Sequence, residues 1–211
     1  MKWESLLSMV GDEPVFRTGF LAPGKETMAE VRMQLSRWVK TGRLIKLKKG
    51  LYTLAQPYRK VTPHPFLIAN TMKKASYVSM QSAMGHHGMI PEYVPAVTSV
   101  TTQRPERVET SLGHFVFRHI KKNWFHGYRQ TDLGSGQQAF IATPEKALLD
   151  MVSLTPGADN YNFLSELRLQ NLERVNVGVI RKLADKSGSA KLLRAAKLIA
   201  KLAKQETGEE L

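Results

Sequence analysis

The first ten positions place apolar residues at Trp3, Leu6, Leu7 and Val10, a helical spacing that Gly11 closes. A short second element is predicted over residues 18–22, between Pro14 and the turn at Pro23 and Gly24. Thr27 with Glu30 three residues later has the form of a capping box. Met28, Val31, Leu35, Trp38 and Val39 then mark one face of a longer helix, which Gly42 stops. Residues 44–47 and 51–54 flank Lys48, Lys49 and Gly50, the pattern of a β-hairpin with glycine in its turn. Helix, short helix, long helix and hairpin, in that order, predict a winged helix-turn-helix over residues 1–56.

The stretch QPYRKVTPHP follows, with three prolines and no apolar period. It reads as a linker over residues 57–65. Residues 66–211 then mix two periods. A helix is predicted over 66–73, an extended run over 75–78, and a short helix capped by Ser79 and ended by Gly88. Residues 97–102, 114–120 and 138–142 read as strands. Thr143, Pro144 and Glu145 supply a cap, a first-position proline and a first-turn acid. Ala147, Leu148, Met151 and Val152 give the helix that follows an apolar face. Further helices are predicted over 160–168, 177–186 and 189–205. The expected fold class is α+β: a winged helix-turn-helix, then an α+β domain ending in helices.

Composition narrows the function classes. The chain has 211 residues, 42% of them hydrophobic, so it can bury a core. It has no cysteine, which excludes disulfides, thiolate zinc ligands and thiol nucleophiles. MKWESLLSMV lacks the apolar run of a signal peptide, and no window is apolar enough to span a bilayer. A cytoplasmic chain with no membrane role is expected. The net charge is +13, and residues 1–60 carry 12 basic and 5 acidic groups, a net +7. Such a field attracts polyanions. Arg32, Arg37 and Lys40 lie off the apolar face of the long helix, with Lys25 and Thr27 at its N-terminus. Arg43, Lys46, Lys48 and Lys49 sit on and beside the hairpin. Duplex DNA is the partner expected for these groups, with Arg32 near base edges and the hairpin lysines on phosphates. A protein–protein module with a solvated basic face is the alternative.

Lys191, Arg194, Lys197, Lys201 and Lys204 form a second basic stripe, on the last helix. It suits a domain-closing helix with a solvated face, a second DNA contact, or a dock for an acidic partner. Metal and catalytic readings find less support. His86 and His87 are adjacent and diverge on a helix, and His114 and His119 fall on opposite faces of a strand. Glu145 and Lys146 hint at nuclease chemistry, yet a cap and an Asp150 pair explain them. The Gly134-Ser135-Gly136 run lacks the lysine of a phosphate loop. No cofactor, no metal and no enzymatic activity are expected.

Residues 37–52 (RWVKTGRLIKLKKGLY) resemble the end of the winged helix in AbiEi-like antitoxins of type IV toxin–antitoxin, or abortive-infection, systems. Further blocks resemble that family's C-terminal domain in the same order: SYVSMQSA at 76–83, HGMIPE at 87–92, VTSVT at 97–101, FHGY at 125–128 and ATPEKALLD at 142–150. Gly113-His114-Phe115 and Arg118-His119-Ile120 belong to the same series. The likeness runs from about residue 1 to 175. It implies a cytoplasmic transcriptional autorepressor that binds its own promoter and counters a nucleotidyltransferase-like toxin. Repression would sit on the N-terminal domain and antitoxicity on the C-terminal one. Where the family often carries Arg-Gly at the wing, this chain has Lys49-Gly50. An interaction protein that neutralises a partner without specific DNA binding is the rival reading, and a metal-dependent nuclease the third.

Overall fold

The computed structural model describes residues 1–21 and 26–206. Its first part opens with helix α1 (Trp3–Val10), which buries Leu6 and Val10. A two-residue strand β1 (Phe16–Arg17) and a single 3-10 turn (Thr18–Phe20) follow. Helix α2 (Met28–Lys40) starts at the capping box: the Thr27 hydroxyl accepts from the Glu30 amide, and the Glu30 carboxylate accepts from the Thr27 amide at 2.7 Å. Val31, Leu35 and Trp38 are its buried face. Strands β2 (Leu44–Lys48) and β3 (Leu51–Leu54) form the hairpin, and β1 joins β3 to give an antiparallel sheet ordered β1-β3-β2. Gly50 takes φ +74° in the turn, a conformation that a side chain disfavours. The core beneath joins Leu6, Phe16, Leu35, Trp38 and Tyr52, and the Trp3 ring meets Trp38 edge-on at 5.0 Å.

The larger part is built on a sheet ordered β6-β7-β5-β4-β9-β8. Its strands are β4 (Ser76–Val78), β5 (Ala96–Thr101), β6 (Glu106–Thr110), β7 (Gly113–His119), β8 (Tyr128–Asp132) and β9 (Gln138–Ala142). Pairs β5–β7 and β4–β9 are parallel, whereas β4–β5, β6–β7 and β8–β9 are antiparallel. Helix α3 (Pro65–Met72) packs on β4, β9 and β5. Helices α4 (Met80–His86), α5 (Pro144–Leu154), α6 (Tyr161–Glu166), α7 (Val177–Ser187) and α8 (Ala190–Glu206) complete it. The apolar α5 meets α4, α7 and α8. The molecule is thus mixed helix and strand, with helices gathered at its C-terminal end.

Several expectations change. The short second element reduces to the 3-10 turn at Thr18–Phe20, and the predicted turn at Pro23 and Gly24 lies outside the described residues. Strands β1, β6 and β8 carry no clear apolar alternation and were not expected. Ser79 makes no cap bond; its hydroxyl donates to Asp150 at 2.8 Å instead. The largest correction concerns residues 57–65 and the separation of cores. Leu47 and Leu51 of the hairpin are buried in the core of the larger part, not in that of the first. Tyr58 packs its ring on Trp3 at 5.0 Å. Gln137 accepts from the His64 amide at 2.7 Å and donates to the Thr62 carbonyl at 3.0 Å. The proline-rich stretch is pinned to both sides, and the hairpin bridges two cores.

Candidate nucleic-acid interface

The burial of Val31, Leu35 and Trp38 decides which side of α2 faces water. Ala29, Arg32, Met33, Ser36, Arg37 and Lys40 are all exposed, at the three- and four-residue spacings of one helical face. Arg32 and Lys40 have no protein partner among the described residues, and Arg37 reaches only the Met33 sulfur, at 3.9 Å. Met33 is 52% exposed between these cations, and sequence reasoning passed over it. The signal was present, since residue 33 stands off the buried face. A helix of 13 residues is about 20 Å long, and a groove of B-DNA admits an α-helix with exposed side chains.

The hairpin divides its lysines. Lys46 and Lys49 are exposed and unpaired among the described residues. Lys48, expected on a phosphate, turns inward: its ammonium meets Glu106 on β6 at 2.7 Å. Lys73 joins the same carboxylate at 3.0 Å and donates to the Arg104 carbonyl at 2.7 Å. Hydrogen bonding from Lys48 holds the Glu106 carboxyl below the ordinary carboxylate range, against a smaller opposing effect of burial. Arg43 lies over the Trp3 ring at 5.3 Å. Thr27 gives its amide and hydroxyl to Glu30, so it has neither to offer a phosphate. The same Thr27 bonds keep the Glu30 carboxyl low. Lys25 lies outside the described residues. Of the nine predicted contacts, Arg32, Arg37, Lys40, Lys46 and Lys49 have no acidic partner among the described residues.

Near the turn, the exposed Phe20 (57%) lines a cavity with Arg17, Lys49 and Gly50. The turn is anchored there by the Thr18 amide, which donates to the Gly50 carbonyl at 3.0 Å. Arg17 is tied elsewhere, through its guanidinium to the Thr71 carbonyl. Arg59, read as part of the linker, holds two buried guanidinium nitrogens with no partner among the described residues.

The second basic stripe is partly committed to the fold. Lys191 donates to the Thr155 carbonyl at 2.6 Å, and Arg194 pairs with Asp159 at 2.6 Å. That pairing holds the Asp159 carboxyl down. Lys197 and Lys201 remain exposed. Leu192, Ala195, Ala196 and Ile199 form the buried face of α8.

The residues that hinted at nuclease chemistry lie deep. Lys146 and Asp150 are both 0% exposed and form an ion pair along α5. Asp150 also accepts from the Tyr77 hydroxyl at 3.0 Å, the Ser79 hydroxyl at 2.8 Å and the Trp124 indole N–H at 2.7 Å. The Lys146 ammonium lies 4.3 Å from the Trp124 ring centre. Burial draws the Lys146 ammonium below the usual lysine range, while Asp150 supports its charge. Burial, then the Asp150 charge, pushes the Tyr77 hydroxyl up. Gly127 at φ +76° covers this lysine, and a Cβ there would stand 3.1 Å from its stem. The histidines have separate polar partners: His87 meets the Ala142 carbonyl at 2.8 Å and His119 the Gln103 carbonyl at 3.1 Å, while the His86 ring stands edge-on to Phe66 and to His87. Among the described residues, no three His, Asp or Glu side chains converge as metal ligands would, and no helix is long and apolar enough to cross a membrane.

No protein-family model and no curated protein matches the chain. Among solved structures, its fold is similar to that of the Rv2827c protein from Mycobacterium tuberculosis. The TM-score is 0.52 at 13% identity, over 99% of this chain and 81% of that one. The likeness is one of fold.

Proposed function

We propose that the chain is a DNA-binding transcriptional regulator whose first part acts as a winged helix. The observation that carries this reading is the exposed face of α2, where Arg32 and Lys40 stand unpaired among the described residues and Arg37 reaches only the Met33 sulfur, while other nearby basic groups are bound internally. On this reading α2 enters the major groove. Arg32 and Arg37 reach base edges or the flanking phosphates, and Met33 offers an apolar contact of the kind a thymine methyl takes. Lys46 and Lys49 meet the phosphate backbone and set orientation without specifying sequence. Five released cations give a log–log salt slope of about −4 to −5. The test is fluorescence anisotropy on the chain's own promoter across a salt series. R32A is expected to blur sequence preference, and K49A to weaken all sequences alike and flatten the slope by about one. A salt-independent affinity, or the same affinity in an R32A/R37A/K40A variant, would refute the reading.

The antitoxin role rests on the family resemblance, and the reading extends it to the larger part of the chain. Its test is growth rescue in cells expressing the cognate nucleotidyltransferase-like toxin. Full-length protein carrying R32A/R37A/K40A is expected to rescue while losing repression. Loss of both together would overturn the division of labour.

A further inference from the structure

A cavity of about 400 Å³ opens where the end of β7, the end of α5 and the α7–α8 junction meet. This volume falls in the usual range of about 300–1,000 Å³ for small-molecule sites. It is remote in sequence from α2 and the hairpin, and the DNA reading makes no use of it. We propose that it binds a phosphate monoester carried on a small organic group, the chemistry of a mononucleotide.

The lining divides by character. Ile120, Trp124 and Leu192 are buried and form an apolar floor. Lys121, Lys186 and His119 stand exposed at its rim, and among the described residues no aspartate or glutamate lines it. Neither lysine has a partner among the described residues. Asp150, which accepts the Trp124 indole N–H behind the floor, is already paired with Lys146. The cavity is therefore positive at its mouth and apolar at its base. Lysine meets phosphate as a point charge, and a low-dielectric floor strengthens that attraction.

The walls are held in place before any ligand arrives. Arg118 donates to the Leu154 carbonyl at 2.8 Å, and Lys191 to the Thr155 carbonyl at 2.6 Å, so the end of α5 is tied to β7 and to α8. Ser187 donates to the Ala184 carbonyl and accepts from the Ser189 amide at 3.1 Å, which fixes the α7–α8 corner. The His119 Nδ1 donates to the Gln103 carbonyl, leaving its other ring nitrogen for the rim. Ser153 adds an exposed hydroxyl without a protein partner among the described residues. A bare inorganic ion would leave the floor uncovered, and an uncharged ring would leave two lysines unmatched. A monoester on an organic frame satisfies both.

Isothermal titration calorimetry on the full chain, with AMP, adenosine and inorganic phosphate as separate probes, tests this. AMP is expected to bind saturably, with adenosine and inorganic phosphate each at least tenfold weaker. K121A and K186A are each expected to weaken AMP about tenfold, the size of one charge-assisted contact, with DNA affinity unchanged. K121Q and K186Q, which retain the stems, are expected to behave alike. Equal binding of either control probe, no saturable binding of AMP, or a parallel loss of DNA affinity in the lysine variants would overturn the proposal. The order of the three probes on the unaltered chain decides it even where a variant fails to fold.

Discussion

Asp150 collects an ammonium, two hydroxyls and an indole N–H in a space closed to water. Removing it strands the Lys146 charge and three donors. D150A is expected to cost about 3–5 kcal/mol, read as a lowered urea midpoint. A loss under ~1 kcal/mol would mean that water replaces the carboxylate. The four-residue step from Lys146 to Asp150 made the pair legible in the sequence. Its burial was not, because Tyr77 lies 73 residues away and only the sheet brings it over α5. Trp38 was legible for the opposite reason: helical spacing alone placed it with Val31 and Leu35. It is 5% exposed, and W38A is expected to cost about 3–5 kcal/mol. On the proposed DNA-binding reading, affinity would then fail in step with circular dichroism. The hairpin lysines looked equivalent along the chain, and a residue on another strand, Glu106, separates them.

Between elements, Glu106 acts as a clasp from β6 onto β2. E106Q is expected to free Lys48, lower amide protection across β2 and β3 and, on the proposed DNA-binding reading, steepen the salt slope by about one. An unchanged slope with unchanged exchange would show that apolar packing, with Leu47 and Leu51 at its centre, holds the hairpin without the clasp. Strands β6 and β8 went unread because both are sheet edges. ERVET holds one apolar residue and YRQTD only the tyrosine, so the alternation that marks a half-buried strand is weak. Their charge suits an edge that must not pair with another chain. The helices were legible because caps and apolar spacing agree, as at Thr143 and Pro144. The hairpin was legible as well, but its downward-facing leucines serve a core that local pattern cannot reveal.

For the whole molecule, burial disfavours the charged form of three histidines. It lowers His64, His86 and His126 below their ordinary 6.5. The unfolded chain therefore binds protons first as pH falls, and stability declines below about pH 6.5 toward the folded values. His64 adds a specific loss, since its Nδ1 accepts the Phe66 amide at the start of α3 and cannot do so once protonated. Thermal melts between pH 8 and 5 check this. A flat Tm over that span would refute it. The bridging hairpin sets a second expectation. A fragment of residues 1–56 would expose Leu47 and Leu51, so it is expected to melt lower than the first part does in the full chain and to self-associate in sedimentation. A monomeric fragment of equal stability would show that the two cores are independent.

Sheet order also bears on how the chain is made. The first core draws on residues that leave the ribosome early, whereas β4 waits for β9, to which Val78 pairs at Ile141. Until that strand emerges, β4 has β5 on one side and an open edge on the other. Such long-range parallel pairing closes slowly. In that interval Leu47 and Leu51 have no finished surface to rest on, and the nascent chain presents an apolar hairpin beside an unpaired strand. A fold whose hairpin leucines rest on the later core thereby concentrates its aggregation hazard into the time before β9 is translated.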